Sequence, residues 1–411
     1  MNAKNNAVFK FPPTQNKLSG QKQNSSEADV KRCEDLILNY SKQLAKEKDI
    51  SGIRTLVESV RKFYDLVGKA RASKLIRDIV EHALTIDQGK DEKIGLLKNC
   101  IEWAKTNKRE FLRRSLQSRL MRLYNDVGMF VDAQKLGQDL SKELKKLEDR
   151  ELLIEVSVEE SKSAFNLNNL AKAKTTLLTA KTSTNSAFAS PQLQAVVDLQ
   201  SGVLYSAEER DYKTSFSYFY EAFEGFRSIG DKKSATGALK YMIMCKIMLN
   251  ENEQVPALMA TKETLPFKDD PRIVAIRAMS DAFRKRSLKD FMKALKDHKK
   301  ELLEDKVVSV HSKNLERNML EKEISRVVEP YSEIELSYIA RVIGMTVAPV
   351  EKAIARMILD RKMYGSIHQH GDTVVIHPKA DLTKQFTRSL TTIKELTKTV
   401  DASYVRAKEI K

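Results

Sequence analysis

The sequence predicts a mainly α protein: a helical-repeat solenoid, then a small winged helix, then one terminal helix. Three observations carry this. From residue 28 to about 250 one amphipathic helical segment follows another, parted by short turns marked with Gly, Asn, Asp or Pro. A large residue followed one turn later by a small one recurs at intervals of 40 and then 42 residues. Near residue 363 the hydrophobic period changes from about 3.6 to about 2, as where helix gives way to hairpin.

The chain begins with Asn, Gln, Ser and Lys around Pro12-Pro13, and only Val8, Phe9 and Phe11 offer apolar surface. Residues 1–28 therefore read as a disordered tail. Helices are expected over Glu34–Glu47, Gly52–Val67, Ala70–Thr85 and Lys93–Thr106, amphipathic but without a clear repeat. The repeat then becomes visible in Phe130-x-x-Ala133, Leu170-x-x-Ala173 and Tyr212-x-x-Ser215. Each follows a short turn, at 126–128, 166–168 and 208–210. This is the packing of antiparallel helix pairs in a right-handed tetratricopeptide-like solenoid, with a period longer than the usual residue count of about 34. Leu120, Met121, Leu123 and Tyr124 belong to the first helix of one pair; Leu199, Val203 and Tyr205 to that of a later one. Phe216, Tyr218, Phe219, Phe223 and Phe226 read as core of a second helix rather than as a ligand pocket.

Ser287, with Asp290 three residues on, caps a segment striped by Leu288, Phe291, Leu295 and Leu302. Val310, Leu315, Met319 and Ile324 line the next helix. Arg326–Pro330, β-branched and stopped by proline, reads as a brief edge strand. Ser332 and Glu335 form a capping box opening a helix Glu333–Ile343, which Gly344 ends. Thr346 opens a second helix whose buried face is Val350, Ala353, Ile354, Met357 and Ile358. Tyr364–Gln369 and Thr373–His377 flank Gly371-Asp372, which suits a type II′ hairpin turn. Strand, helix, helix and hairpin make a winged helix. In its wing Ile367, Val374 and Ile376 should turn inward, leaving hairpin backbone available at an edge for a neighbouring domain, and a proline at Thr373 should weaken pairing in the hairpin and hence that association. Finally Leu382, Phe386, Leu390, Ile393, Leu396 or Thr397, Val400 and Tyr404 form one narrow stripe on a Thr- and Lys-rich helix. That stripe has to be buried against its own domain or against another chain.

A chain of 411 residues with 41% hydrophobic and 31% charged residues has room for two or three domains. No apolar run approaches the ~20 residues that span a bilayer, and Met1–Asn24 lacks the apolar core of a signal peptide. Cys33, Cys100 and Cys245, isolated and odd in number, point to a reducing compartment. Nucleotide, hydrolase and paired-cysteine motifs are absent, so neither catalysis nor a cofactor is expected. His368, His370, Asp372 and His377 gather near the wing, but on an exposed turn without supporting partners, and no metal is expected there. A DNA-reading second helix would present Glu351, Lys352, Ala355, Arg356 and Lys362; Glu351 near its start, where phosphate would bind, argues against nucleic acid. The net charge of +16 is dispersed along the chain, which fits solvated lysine faces or an acidic protein partner.

Helical repeats joined directly to a winged helix resemble the PCI module. Three motifs narrow the resemblance: Arg286-Ser287-Leu288-x-Asp290-Phe291 with Ala294-Leu295, then Arg326–Ser332, then Met357–Lys362. Together they resemble a family of 26S proteasome lid subunits, the non-ATPase regulatory subunit 11 family, densely from Tyr241 to Pro378 and in helix pattern alone before that. The resemblance implies a solenoid over 29–285, a PCI module over 286–378 with its winged helix from about 325, and a C-terminal helix over 379–411. It implies a non-catalytic structural subunit of cytoplasm and nucleus serving ubiquitin-dependent proteolysis. The partners it implies are other lid PCI subunits, an ATPase ring subunit and the outer ring of the core particle, with the terminal helix entering a multi-subunit bundle. Ile367, Thr373, Val374 and Ile376 on the wing, and Phe386, Leu390, Ile393, Val400 and Tyr404 on the last helix, are the expected interface. Members of that family are less basic, so the charge is a departure. A subunit of the related signalosome, or a PCI-type nucleic-acid adaptor, stays open as an alternative.

Overall fold

The computed structural model describes residues 27–61, 68–86, 89–186, 190–209, 211–303, 305–368, 371–377 and 382–409. The expected tail, with its Phe9-Lys10-Phe11, lies outside the described residues up to 26; so do 62–67, Gln369, His370 and 378–381. The chain divides into two compact units, 1–242 and 243–411.

The first unit is helix after helix: α1 Glu27–Glu47, α2 Ile50–Ser59, α3 Lys69–Leu84, α4 Lys90–Thr106, α5 Glu110–Val127, α6 Phe130–Leu147, α7 Arg150–Asn166, α8 Leu170–Ser186, α9 Pro191–Leu204 and α10 Tyr212–Ile229. A single π turn, Tyr205–Glu209, follows α9, and α11, Lys232–Met248, runs across the division between the units. The repeat read from sequence falls on the helix starts. Phe130, Leu170 and Tyr212 are the first residues of α6, α8 and α10, and Ala133, Ala173 and Ser215 are fully buried where each helix meets its predecessor. Small residues are required there because the backbones are close. Ser215 Oγ donates to the Gly202 carbonyl at 3.0 Å, and a Cβ on Gly202 would lie 2.6 Å from the Phe219 ring. Phe219, Phe223 and Phe226 are core, as expected, while Phe216 and Tyr218 are half-buried.

Five of the turns between helices of the first unit share one construction. A single left-handed residue follows the helix, and the next N–H reaches back to a carbonyl five residues earlier, as in a Schellman cap. Lys48, Lys108, Gly128, Asn168 and Gly230 fill the left-handed position; the bonds include Arg109 N–H to Ala104 O at 2.9 Å and Met129 N–H to Tyr124 O at 2.9 Å.

In the second unit come α12 (Gln254–Met259), a 3₁₀ turn at Leu265–Phe267, α13 (Pro271–Arg284), α14 (Leu288–Asp297), α15 (Lys299–Leu303) and α16 (Lys306–Val328). Then follow β1 (Glu333–Glu335), α17 (Leu336–Ile343), α18 (Val347–Leu359), β2 (Gly365–His368), β3 (Thr373–Ile376) and α19 (Leu382–Glu409). The mainly α fold with one small sheet and a winged helix is borne out, and several details are corrected. Arg326–Pro330 is not a strand. Residues to Val328 complete α16, because Ile324 and Val328 are needed in the core and tertiary packing overrides β-branched propensity. The strand lies at Glu333–Glu335, so the capping box does not form; α17 starts at Leu336 with no side-chain cap. On α16 Val310 is 51% exposed, and Val308 and His311 face inward in its place. His298 separates α14 from α15, so Leu288 and Leu302 stand on different helices. The face expected for α18 is correct: Val350, Ala353, Ile354 and Met357 are buried, Ile358 half-buried.

The sheet order is β1-β3-β2, both pairs antiparallel. Val374 sits opposite Ile334 on one side and Ile367 on the other, and is fully buried. A four-residue connection, not a two-residue II′ turn, joins β2 to β3, since His368 pairs with Thr373. Among its described residues Asp372 is left-handed, φ 46°, and its carbonyl accepts from Leu336 N–H at 2.8 Å.

Candidate assembly surfaces

The wing offers backbone along one edge. His377 N–H donates to Tyr364 O at 2.8 Å, which makes that pair a hydrogen-bonded one. Antiparallel pairing alternates, so Ser366 and His368 also bond to β3 while the N–H and C=O of Gly365 and Ile367 point the other way. No strand among the described residues covers that side of β2. Gly365 is what lets β2 approach: a Cβ there would stand 2.5 Å from Val375 O. Of the residues expected at this interface, Ile367 is on the edge strand, whereas Thr373, Val374 and Ile376 occupy the central strand and are paired on both sides. Val374 turns inward as expected; Ile367 and Ile376 are half-buried. The Lys362 ammonium meets the buried Glu321 carboxylate at 2.6 Å, binding the start of the wing to α16. Among the described residues no cluster of His, Cys, Asp or Glu could hold a metal.

A second surface is α19. Every described side chain from Lys384 to Glu409 is exposed. Phe386, Leu390, Ile393, Val400 and Tyr404 are between 59 and 67% exposed, and with Thr397 they advance by alternate steps of four and three residues. That is the a/d seam of a helix made to pack against other helices. The Thr391, Thr392, Thr397, Thr399 and Ser403 hydroxyls donate to carbonyls four residues back in the same helix.

A third is a groove of about 970 Å³ in the first unit, between α3, α5, α7 and the start of α9. Phe111 stands 55% exposed at its wall under the Arg77 guanidinium, 5.7 Å from the ring centre. Arg119 donates to the Arg77 carbonyl at 2.9 Å and pairs with Glu81 at 3.3 Å. Deeper, burial would raise the Glu159 carboxyl, but Lys162 at 2.8 Å, the Asn125 amide at 2.9 Å and Arg122 outweigh it and hold the group below its ordinary value. Burial raises Glu160 despite Lys172 at 3.6 Å, and raises Asp198 against a hydrogen bond from Gln194. These are structural charges in a packed solenoid. Burial likewise pushes the Cys100 and Cys245 thiols up to about 12, which leaves them protonated and unreactive.

Two family matches fall one in each unit. Residues 10–127 match the 26S proteasome regulatory subunit RPN6 N-terminal domain, and residues 295–378 match the PCI domain. A Caenorhabditis briggsae protein described as probable 26S proteasome regulatory subunit rpn-6.2 is 80% identical over 400 residues, covering 97% of each chain. The rpn-6.2 of Caenorhabditis elegans is 78% identical over 405 residues, again 97% of each.

The chain belongs to the RPN6 family of proteasome regulatory subunits.

The family reaches far: the Arabidopsis thaliana protein described as 26S proteasome non-ATPase regulatory subunit 11 homolog is 39% identical over 388 residues, 94% of this chain and 91% of that one. In this RPN6-family chain the PCI match contains α16, the sheet and both winged-helix helices and stops at Pro378, before α19. No described helix is long and apolar enough to cross a membrane. Sequence reading found the stripe of α19 through its spacing. It missed Gly365 and the outward groups of β2, because pairing order is set by β1, some thirty residues upstream.

Proposed function

We propose that this RPN6-family subunit is a non-catalytic scaffold of the proteasome lid, acting in ubiquitin-dependent protein degradation in cytoplasm and nucleus. The exposed seam of α19 carries the reading: a helix with no cover in its own unit is built to be covered by other chains. In this scheme α19 enters a bundle formed with other lid subunits. The open edge of β2 extends a neighbouring PCI domain's sheet. The solenoid, residues 29–285, reaches an ATPase ring subunit and the outer ring of the core particle, while peptide-bond cleavage belongs to those partners. The domain plan is then solenoid, PCI module over 286–378, and terminal helix over 379–411.

Native purification of the tagged chain, with mass spectrometry of what accompanies it, tests this. Lid, ATPase and core-particle subunits are expected; signalosome subunits in their place would overturn the assignment. Removing 381–411 should leave helicity and melting temperature unchanged and abolish entry into the particle. A truncated chain that unfolds would assign α19 to the chain's own core and refute the scheme.

A further inference from the structure

From residue 284 to 299 the chain carries seven lysines and arginines against two aspartates. The fold sorts them. Leu288, Phe291 and Ala294 of α14 turn inward, and Lys289, Lys293 and Lys296, spaced by one helical turn, share the opposite, exposed face. Lys285 and Arg286 lead into this face and Lys299 leaves it, all exposed. Arg284 pairs with Asp281, but none of the other six makes an ion pair among the described residues. The stem of Lys289 lies on the turn between α17 and α18, where a Cβ on Gly344 would meet its Cε at 3.0 Å. The basic face is therefore continuous with the winged helix. Six unpaired cations on one small surface repel one another, a cost that an anionic partner removes.

We propose that this face of α14 is a docking surface for an acidic segment of another polypeptide, one presenting two or three carboxylates along a single helical or extended edge. The dimensions favour protein over nucleic acid. From Lys289 to Lys296 the stripe spans only about 10 Å, room for a few discrete carboxylates. Asp290 and Asp297 border one side of the stripe and repel a continuous phosphate backbone laid along it, whereas separate carboxylates can meet the lysines on the other side. The one aromatic residue in the stretch, Phe291, is fully buried, so no ring is offered to a base. The proposal deepens the scaffold reading by locating one contact of the PCI module, and does not depend on which complex supplies the partner.

The test uses the full-length tagged chain purified natively with its partners and treated with a water-soluble carbodiimide, which joins lysine amines to carboxylates already in contact. Lys289, Lys293 or Lys296 should be found linked to Asp or Glu of a different polypeptide. The triple variant Lys289→Glu, Lys293→Glu, Lys296→Glu should recover that polypeptide at least ~10-fold less at about 150 mM salt. The triple Lys→Arg variant, and a control changing the exposed Lys46, Lys135 and Lys213 to Glu, should recover it undiminished. Should the Glu triple melt early, a Gln triple is judged by the same criterion. Absence of foreign carboxylate links, unchanged recovery, or ultraviolet cross-links from this face to RNA or DNA would overturn the proposal. A linked acidic partner from outside the proteasome would uphold it and overturn the lid assignment; lid subunits recovered without such links would do the reverse.

Discussion

Ile393→Asp puts a charge at the centre of the α19 seam. Ile393 is 60% exposed in the chain, so covering it removes about 100 Å² of apolar surface, about 2.5 kcal/mol at roughly 25 cal/mol per Å². An aspartate there would leave an unpaired carboxylate in an apolar seam, a further penalty of about 3 kcal/mol. The two sum to about 5.5 kcal/mol, a weakening of association by about four orders of magnitude. In the isolated chain the same position faces water, isoleucine and aspartate differ little in helix propensity, and stability should move by no more than about 0.5 kcal/mol. The measurement is paired: glycerol-gradient sedimentation of the tagged variant with the assembled particle, and thermal unfolding of the isolated chain. Loss of the variant from particle fractions with an unchanged melting temperature is expected. Thr391→Asp, on the far side of the helix, should remain in those fractions. Full incorporation of Ile393→Asp, or a melting point several degrees lower, would refute the reasoning.

Three further outcomes are expected. Ile367→Pro removes an N–H that points away from β3, and should reduce co-sedimentation with neighbouring PCI subunits while leaving the melting temperature near that of the parent; Ser366→Pro breaks the β2–β3 ladder itself and should lower both. Lys362→Met strands the buried Glu321 carboxylate and should cost about 1 kcal/mol in denaturant unfolding, discounted for the half-exposed lysine, with no added loss in the double variant with Glu321→Gln. Asp198 is buried with its acid form favoured, so its folded pKa lies above the unfolded value and its ionisation opposes folding as pH rises through the folded pKa. Asp198→Asn should therefore raise the melting temperature at pH 7 and lose that advantage below the unfolded carboxyl pKa of about 3.9; a gain independent of pH would exclude the titration as its cause.

Much of this molecule is written locally. The starts of α6, α8 and α10 were legible because a large and a small residue one turn apart are what close helix packing demands. The face of α18 and the seam of α19 were legible through period alone. The turns were harder. Gly128 and Gly230 mark left-handed positions openly, but Lys48, Lys108, Arg286 and Arg361 hold the same conformation and carry no local signal. The back-bonds of the helix ends, such as Asp49 N–H to Leu44 O and Lys362 N–H to Met357 O, hold them there against a cost of about 1 kcal/mol each. Val327-Val328 misled because β propensity describes fit to a pleated surface, and here the fit is to a helix core. Which strand of the wing lies at its edge was not legible, because strand order is a non-local fact: which strand lies at the centre depends on Glu333–Glu335, and short acidic β1 looks like a helix start.

The hydroxyls of α19 bear on how selective its docking is. Thr397, the hydroxyl that stands in the seam, has its proton engaged by the Ile393 carbonyl of its own helix, so covering the seam strands no donor there. A covering helix needs to bring no polar group of its own, and any apolar ridge of matching pitch fits the seam equally well. Discrimination among candidate helices then falls to the rims, where Lys394 and Asp401 border the seam. The seam fixes how tightly a neighbour is held, and the rim fixes which neighbour it is.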